Sequence, residues 1–295
     1  MISFKMDEDI LAIQDTVRKF AEGELREAMR DAEQAGDVPD DLLARYRNLG
    51  LSTLELPEIH GGLDLGMITR VIVEEELACG DAGISAAIDR GGLAAYALLE
   101  LGTEEQKKKY LNENLSGTVG FWEPGQSESF SDLETTIRED GNELRVTGRK
   151  CLVTNAGLVD GYVIFGTVDE ARGWEGARAV WVPKDTPGLT IGEPDEKIGL
   201  WALRTADVTL DDARVPKENL LNGAAQFREG AERFMNRVQL VNSARSIGVA
   251  RAAYEYAVQY AQERQAFGHP IAHHQAIAFM LADMSILVDS ARGLL

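Results

Sequence analysis

The stretch "NELRVTGRKCLVTNA", residues 142–156, decides the fold. Its apolar and polar residues change places every second position, and its β-branched residues suit a pleated surface better than a helix. The next stretch, "DGYVIFGTVDEARGWEGARAVWVP" (160–183), clusters aromatic and β-branched residues, and the two stretches are punctuated by Gly and Asn turns. Both read as antiparallel strands. "KIGLWALRTADVTLDDARVP" (197–216) reads as one more strand pair.

On either side the period is helical. From Asp7 to about Leu115 apolar residues recur as in Ile10, Ile13, Val17, Phe20 and Ala21, with breaks near Gly36, Pro57, Gly80 and Gly102. Roughly five helical segments are expected there. Thr103 with Gln106 three positions on forms a capping box that starts one of them. After Gln226 the spacing predicts a long helix to about Glu263, a break at Gly268-His269-Pro270, and a second helix from near Ala272. On that last helix Ile277, Met280, Leu281, Met284, Val288 and Ala291 share one apolar face. The fold class is therefore α+β: an all-α domain at 1–116, a middle antiparallel β-domain at 117–222, and an α-helical segment at 223–295.

Composition excludes several functions. The 295 residues are 44% hydrophobic and 27% charged, an ordinary globular balance, with a formal charge of −19. That charge repels nucleic-acid backbones and anionic membranes. No window has the apolar length of a spanning helix, and the N-terminus "MISFKMDEDI" lacks a secretory pattern, so a cytoplasmic location is the default expectation. Cys79 and Cys151 are too far apart for zinc-ligand spacing and read as core residues.

Motifs for other chemistries are missing. No Gly-x-Gly-x-x-Gly follows a strand, and neither a Gly-Lys-Ser/Thr loop nor a His-Glu-x-x-His pair occurs. His273 and His274 are neighbours that would face apart on a helix, so no metal is expected. "GGLAAYALLELG" (91–102) reads as a helix junction, not a phosphate cradle, and His60 sits before a Gly-Gly turn.

Seven segments in order nevertheless resemble the acyl-CoA dehydrogenase family of flavoproteins: "LGLSTLELPEIHGG" (49–62), "EEELACGDAGIS" (74–85), "LGTEEQKKKYL" (101–111), "EPGQSESFSDL" (123–133), "RKCLVTNA" (149–156), "KIGLWALRTADVTLDDARVPKENLL" (197–221) and "ERQAFGHPIAHHQAIAFMLADM" (263–284). The resemblance covers the whole chain. It implies a C-terminal segment that is an incomplete four-helix bundle, FAD as cofactor, an acyl-CoA or other acyl thioester as substrate, an electron-transfer flavoprotein as acceptor, and a homo- or hetero-oligomer. By matching position, Thr154 places a hydroxyl near the flavin, Leu152 and Val153 complete that wall, and Phe121, Trp122 and Glu123 form the edge of the flavin loop. Ser131 matches a serine that touches flavin or substrate. Asn236 and Gln239 fall where relatives carry residues near the substrate. Arg264, Phe267, His274 and Gln275 match residues that reach a neighbouring subunit's FAD. The chemistry suits that role: an Arg fork fits a pyrophosphate, and Gln both donates and accepts hydrogen bonds.

Departures from the family pattern are as informative. Trp122 stands where a small hydroxyl is usual, Leu152 replaces an aromatic residue, and the loop "GQSESFSD" is about three residues longer. Desaturation needs a carboxylate to take the α-proton, and one family position for it holds Val238, so the catalytic residue is unknown. A Gln-x-x-Gly-Gly flavin segment is also missing. Three readings stay open: a subunit whose partner supplies the base and part of the FAD site, a shortened enzyme, or a non-catalytic scaffold or binding subunit.

Overall fold

The computed structural model describes residues 6–125, 130–223 and 226–295. Residues 8–110 form seven α-helices: α1 Glu8–Phe20, α2 Arg26–Ala35, α3 Asp40–Asn48, α4 Gly66–Gly80, α5 Ala82–Ile88, α6 Gly92–Leu101 and α7 Glu104–Tyr110. That is two more than the five expected, because the first tract is divided by the π-helical turn Ala21–Leu25 and the fourth by the turn at residues 89–91. The break expected near Gly80 falls at Asp81. Its backbone is extended, and its side chain caps the new helix by accepting from the Ile84 N–H at 2.7 Å. The Thr103–Gln106 capping box forms as the sequence predicts.

The middle region carries strands β1 Thr118–Gly120, β2 Thr136–Asp140, β3 Glu143–Thr154, β4 Gly161–Thr167, β5 Ala177–Pro183, β6 Leu189–Pro194, β7 Thr205–Pro216 and β8 Leu220–Leu221. They make one sheet, in the order β6-β7-β3-β2-β4-β5-β8, with β1 beside β4. It is mixed, not purely antiparallel: β1 runs parallel to β4, and β2 meets β4 in parallel at Thr136 and Thr167. The expected strand pair in 197–216 is one strand, since residues 197–204 form a loop and Leu200 takes a left-handed φ of 53°.

Strand β4 lies under both cores. Val163 and Phe165 face the helices, where Phe165 stacks on Phe234 at 5.4 Å; Tyr162 and Ile164 face the interior of the sheet. Both faces of its seven residues are therefore covered. This explains why "GYVIFGT" reads as a continuous apolar run and not as a clean alternation.

The C-terminal region is α8 Phe227–Glu263, a short hairpin of β9 Gln265–Ala266 and β10 His269–Pro270, and α9 Gln275–Leu294. The last helix starts three residues later than expected: Ile271–His273 is a 3₁₀ turn, and His274 is the N-cap. Along the apolar face of α9, Val288 is buried, while Met280 and Ala291 are exposed. No described helix is long and apolar enough to cross a membrane.

Helix α8 is pressed onto α4 at Gly248. A Cβ there would lie 2.4 Å from the Glu75 carbonyl oxygen and 2.9 Å from the Ala78 Cβ. Both obstacles are helical backbone or its first side-chain atom, so little can yield. Gly248→Ala is expected to cost about 1–3 kcal/mol through overpacking. Urea denaturation checks this, and an unchanged midpoint would disprove the close contact.

Candidate active-site cavity

A cavity of about 660 Å³ opens between α8 and the edge of the sheet, with α4, α5 and α6 as its floor. That volume is in the range of small-molecule sites. Its sheet-side wall carries Phe121, Trp122, Cys151, Leu152 and Thr154; its α8 wall runs from Phe234 to Val249. Both walls are fixed from behind. Phe121 packs edge-on against Trp122 at 4.9 Å and Phe165 at 5.7 Å. Cys151 donates its backbone N–H to the Trp122 carbonyl at 2.9 Å, so the two wall segments move as one piece.

The sequence-predicted residues fall into three groups. Phe121, Trp122, Leu152, Thr154 and Gln239 line the cavity. Val153, between two lining residues, points into the sheet core, as alternation along a strand requires. Asn236 is exposed on α8 and does not line the cavity. Ser131 also lies off it, donating to Asp132 at 2.7 Å; residues 126–129 of the same loop lie outside the described residues. Cys151, read as a core residue, is half-buried on the cavity wall, whereas Cys79 is buried as expected.

Glu123 is a buttress behind the wall. Its carboxylate accepts from the Lys150 ammonium at 2.5 Å and from the backbone N–H groups of Glu134 and Thr135 at 2.7 and 2.9 Å. Burial opposes its ionisation, yet Lys150 and these donors hold the carboxyl below its ordinary range. The pair fixes the segment that carries Phe121 and Trp122, since Lys150 also donates to the Phe121 carbonyl at 3.1 Å.

Arg264, Phe267, His274 and Gln275 cluster around the β9–β10 hairpin, away from the cavity. Phe267 is 94% exposed with a φ of 55°, and Arg264 and Gln275 are exposed as well. Arg264 has no ion pair among the described residues. His274 is held edge-on to Phe267 at 5.9 Å and against His269 at 4.6 Å.

The cavity floor was not foreseen from the sequence. Arg70 is buried among Glu55, Glu74 and Asp89, and Arg245 on α8 donates to Glu74 at 2.8 Å. Glu74, Asp89 and Arg245 all reach the cavity surface. Burial, opposed by Arg70 and reinforced by Glu55 and Glu74, pushes Asp89 above the usual carboxylate range. Val238 also faces the cavity, and among the described residues the carboxylates that line it are Glu74 and Asp89.

Comparison with known proteins agrees with this architecture. Family models match in succession: acyl-CoA dehydrogenase N-terminal domain at residues 7–118, middle domain at 118–213 and C-terminal domain at 229–295. The probable acyl-CoA dehydrogenase YngJ of Bacillus subtilis is 33% identical over 301 residues, covering 99% of this chain and 78% of that protein. The caffeyl-CoA reductase-Etf complex subunit CarC of Acetobacterium woodii is 34% identical over 286 residues, covering 95% and 76%. A glutaryl-CoA dehydrogenase from Mycobacterium smegmatis, solved in complex with FADH2, superposes with a TM-score of 0.88 at 26% identity, over 97% of this chain and 74% of that one. The order of helical, β and helical regions, the motifs and these matches coincide along the chain, which belongs to the acyl-CoA dehydrogenase family.

Proposed function

We propose that this chain is a FAD-dependent oxidoreductase that desaturates an acyl thioester between its α and β carbons, as one subunit of an oligomer, and hands the electrons to an electron-transfer flavoprotein. The observation that carries this reading is the cavity wall of Trp122, Leu152 and Thr154 facing α8. A broad apolar surface ending in one hydroxyl suits the face and edge of an isoalloxazine ring. Leu152 presents that surface because its φ of 55° turns it outward, where it is 59% exposed. FAD, when bound, would supply the hydride acceptor that no side chain can. The chain's own part is to seat the ring on Leu152, give it the Thr154 hydroxyl, and hold the acyl group between that wall and α8.

The Arg264 fork, which has no ion pair among the described residues, and the exposed Phe267 support the oligomer. They are built to meet a partner, but they do not line this cavity. Coenzyme A as the carrier and an electron-transfer flavoprotein as the acceptor are supported by the names of the relatives.

A second reading, a non-catalytic binding subunit, is favoured by Val238, an aliphatic side chain on the cavity wall at a position where family resemblance puts the base. The deciding experiment is to purify the full chain with and without added FAD, record its visible spectrum, and titrate it anaerobically with short acyl-CoA thioesters. A bound flavin that bleaches on titration is the expected result. Bound flavin without bleaching would favour the binding subunit, and no flavin under either condition would overturn the proposal.

A further inference from the structure

The floor of the cavity is more polar than an alkyl chain requires. Asp89 sits in the α5–α6 turn with Oδ1 accepting from the Gly91 and Gly92 N–H groups at 3.1 and 2.9 Å. Its Oδ2 has no hydrogen-bond donor among the described residues; the nearest cation, Arg70 Nη1, stands 3.9 Å away. Two further acceptors flank the same turn. Asn155 is 2% exposed, donates its amide to the Ala87 carbonyl at 3.0 Å, and leaves Oδ1 without a partner. Thr118, also 2% exposed, follows Gly117, whose N–H is bound to the Arg90 carbonyl at 2.8 Å, and its Oγ1 has no partner either. Both residues line the cavity.

Charge points the same way. Two guanidinium groups, Arg70 and Arg245, face three carboxylates, Glu55, Glu74 and Asp89. The cluster is one positive charge short. Unsatisfied buried acceptors cost free energy until a donor arrives, and a cation would supply both donors and charge.

We infer that the cavity is specific for acyl thioesters whose acyl group carries an ammonium or comparable cationic donor, received by Asp89, Asn155 and Thr118. This rests on the acyl-thioester reading above and names its substrate class. Burial holds Asp89 above the ordinary carboxylate range although Arg70 opposes it, and an ammonium at Oδ2 would favour its charged form. Arg245 stays occupied with Glu74, as the second wall of the polar end.

The test measures binding, not turnover. The FAD-loaded full chain is titrated by calorimetry with three matched series of CoA thioesters, ω-aminoacyl, plain alkanoyl and ω-carboxyacyl, each across several chain lengths. For at least one length the amino member should bind at least about tenfold more tightly than its alkyl and carboxy counterparts. Asp89→Asn should bring that ratio close to one, and Thr118→Val, a gentler change if the first variant folds poorly, should lower it severalfold. Equal or weaker binding of every amino member, tighter binding of the carboxy series, or a preference that survives Asp89→Asn would each overturn the inference. Alkanoyl binding with flavin bleaching but no amino preference would sink this inference alone; no binding of any series would count against the acyl-thioester reading as well.

Discussion

Arg70→Met will lose about 3–5 kcal/mol of stability or fail to fold, because it strips the cation from a buried ring of acids. Arg70 is 1% exposed. Its Nε and Nη2 donate to Glu55 at 2.9 and 2.6 Å, Nη2 also reaches the Leu51 carbonyl at 2.6 Å, and Nη1 donates to Tyr46 at 3.1 Å. Burial opposes ionisation of Glu55, yet Arg70 holds that carboxyl below its ordinary range. Without the guanidinium, Glu55, Glu74 and Asp89 would share Arg245 alone, with little of their surface open to water. The loss is a large part of the 5–15 kcal/mol that a domain typically has. Arg70→Lys keeps the charge but not the planar fork, and should fall between wild type and Met. Urea denaturation of the three proteins decides it. A loss under about 1 kcal/mol for Arg70→Met would mean that the acids simply take up protons at no cost. Adding Glu55→Gln to Arg70→Met should recover part of the loss, since one uncompensated charge goes with it.

How much of this was legible in the sequence depends on where the partners lie. The strand tract from Glu143 to Thr154 and the long helix to Glu263 declare themselves through local period, and the capping box at Thr103 through spacing within one turn. The wall residues Trp122, Leu152 and Thr154 were found through family resemblance, and the structure brings them to one cavity. The floor was hidden. "EEE" at 74–76 looks like a solvated charge run, yet all three glutamates are buried. Successive helical residues project about 100° apart, so the three fan out to arginines on several helices, with Arg251 shared by two of them. Glu74 meets Arg70 and Arg245, Glu75 meets Arg251 and Arg292, and Glu76 meets Arg18 and Arg251. Most of those partners lie on α1, α8 or α9, far away in sequence, where no periodicity could pair them. A usable signal did exist: Arg245 and Arg251 interrupt the helix-packing face of α8, and arginines are rarely spent there without acids opposite. Asp89 was missed for a related reason, as its neighbours Thr118 and Asn155 arrive from the ends of two strands.

One member of that fan, Glu76, contributes stability that acid removes. Glu76 is enclosed by Gln14 and Arg18 from α1 and by Arg251 from α8. It accepts from Gln14 Nε2 at 2.8 Å, from Arg18 Nη2 at 2.9 Å, and from Arg251 Nη1 and Nη2 at 3.0 and 2.5 Å. Burial works against its charge, but these hydrogen bonds outweigh it and hold the carboxyl down at about 2, against an ordinary 4.5. Between those values the unfolded chain binds a proton that the native state refuses. The stabilisation is therefore present in full above pH 4.5 and is lost as pH falls toward 2. A shift of that size corresponds to about 3 kcal/mol. Glu76→Gln removes the titrating group while keeping its shape. At pH 7 it should be the less stable protein by an amount of that order, and the gap should close as pH is lowered from 4.5 to 2. Urea unfolding of both proteins across that range checks it. Parallel pH profiles would show that Glu76 is not the group responsible. A gap that closes above about pH 5 instead would mean that the native Glu76 carboxyl is not held below its ordinary 4.5, and the ion pairs to Arg18 and Arg251 would then not be what joins α1 and α8 to α4.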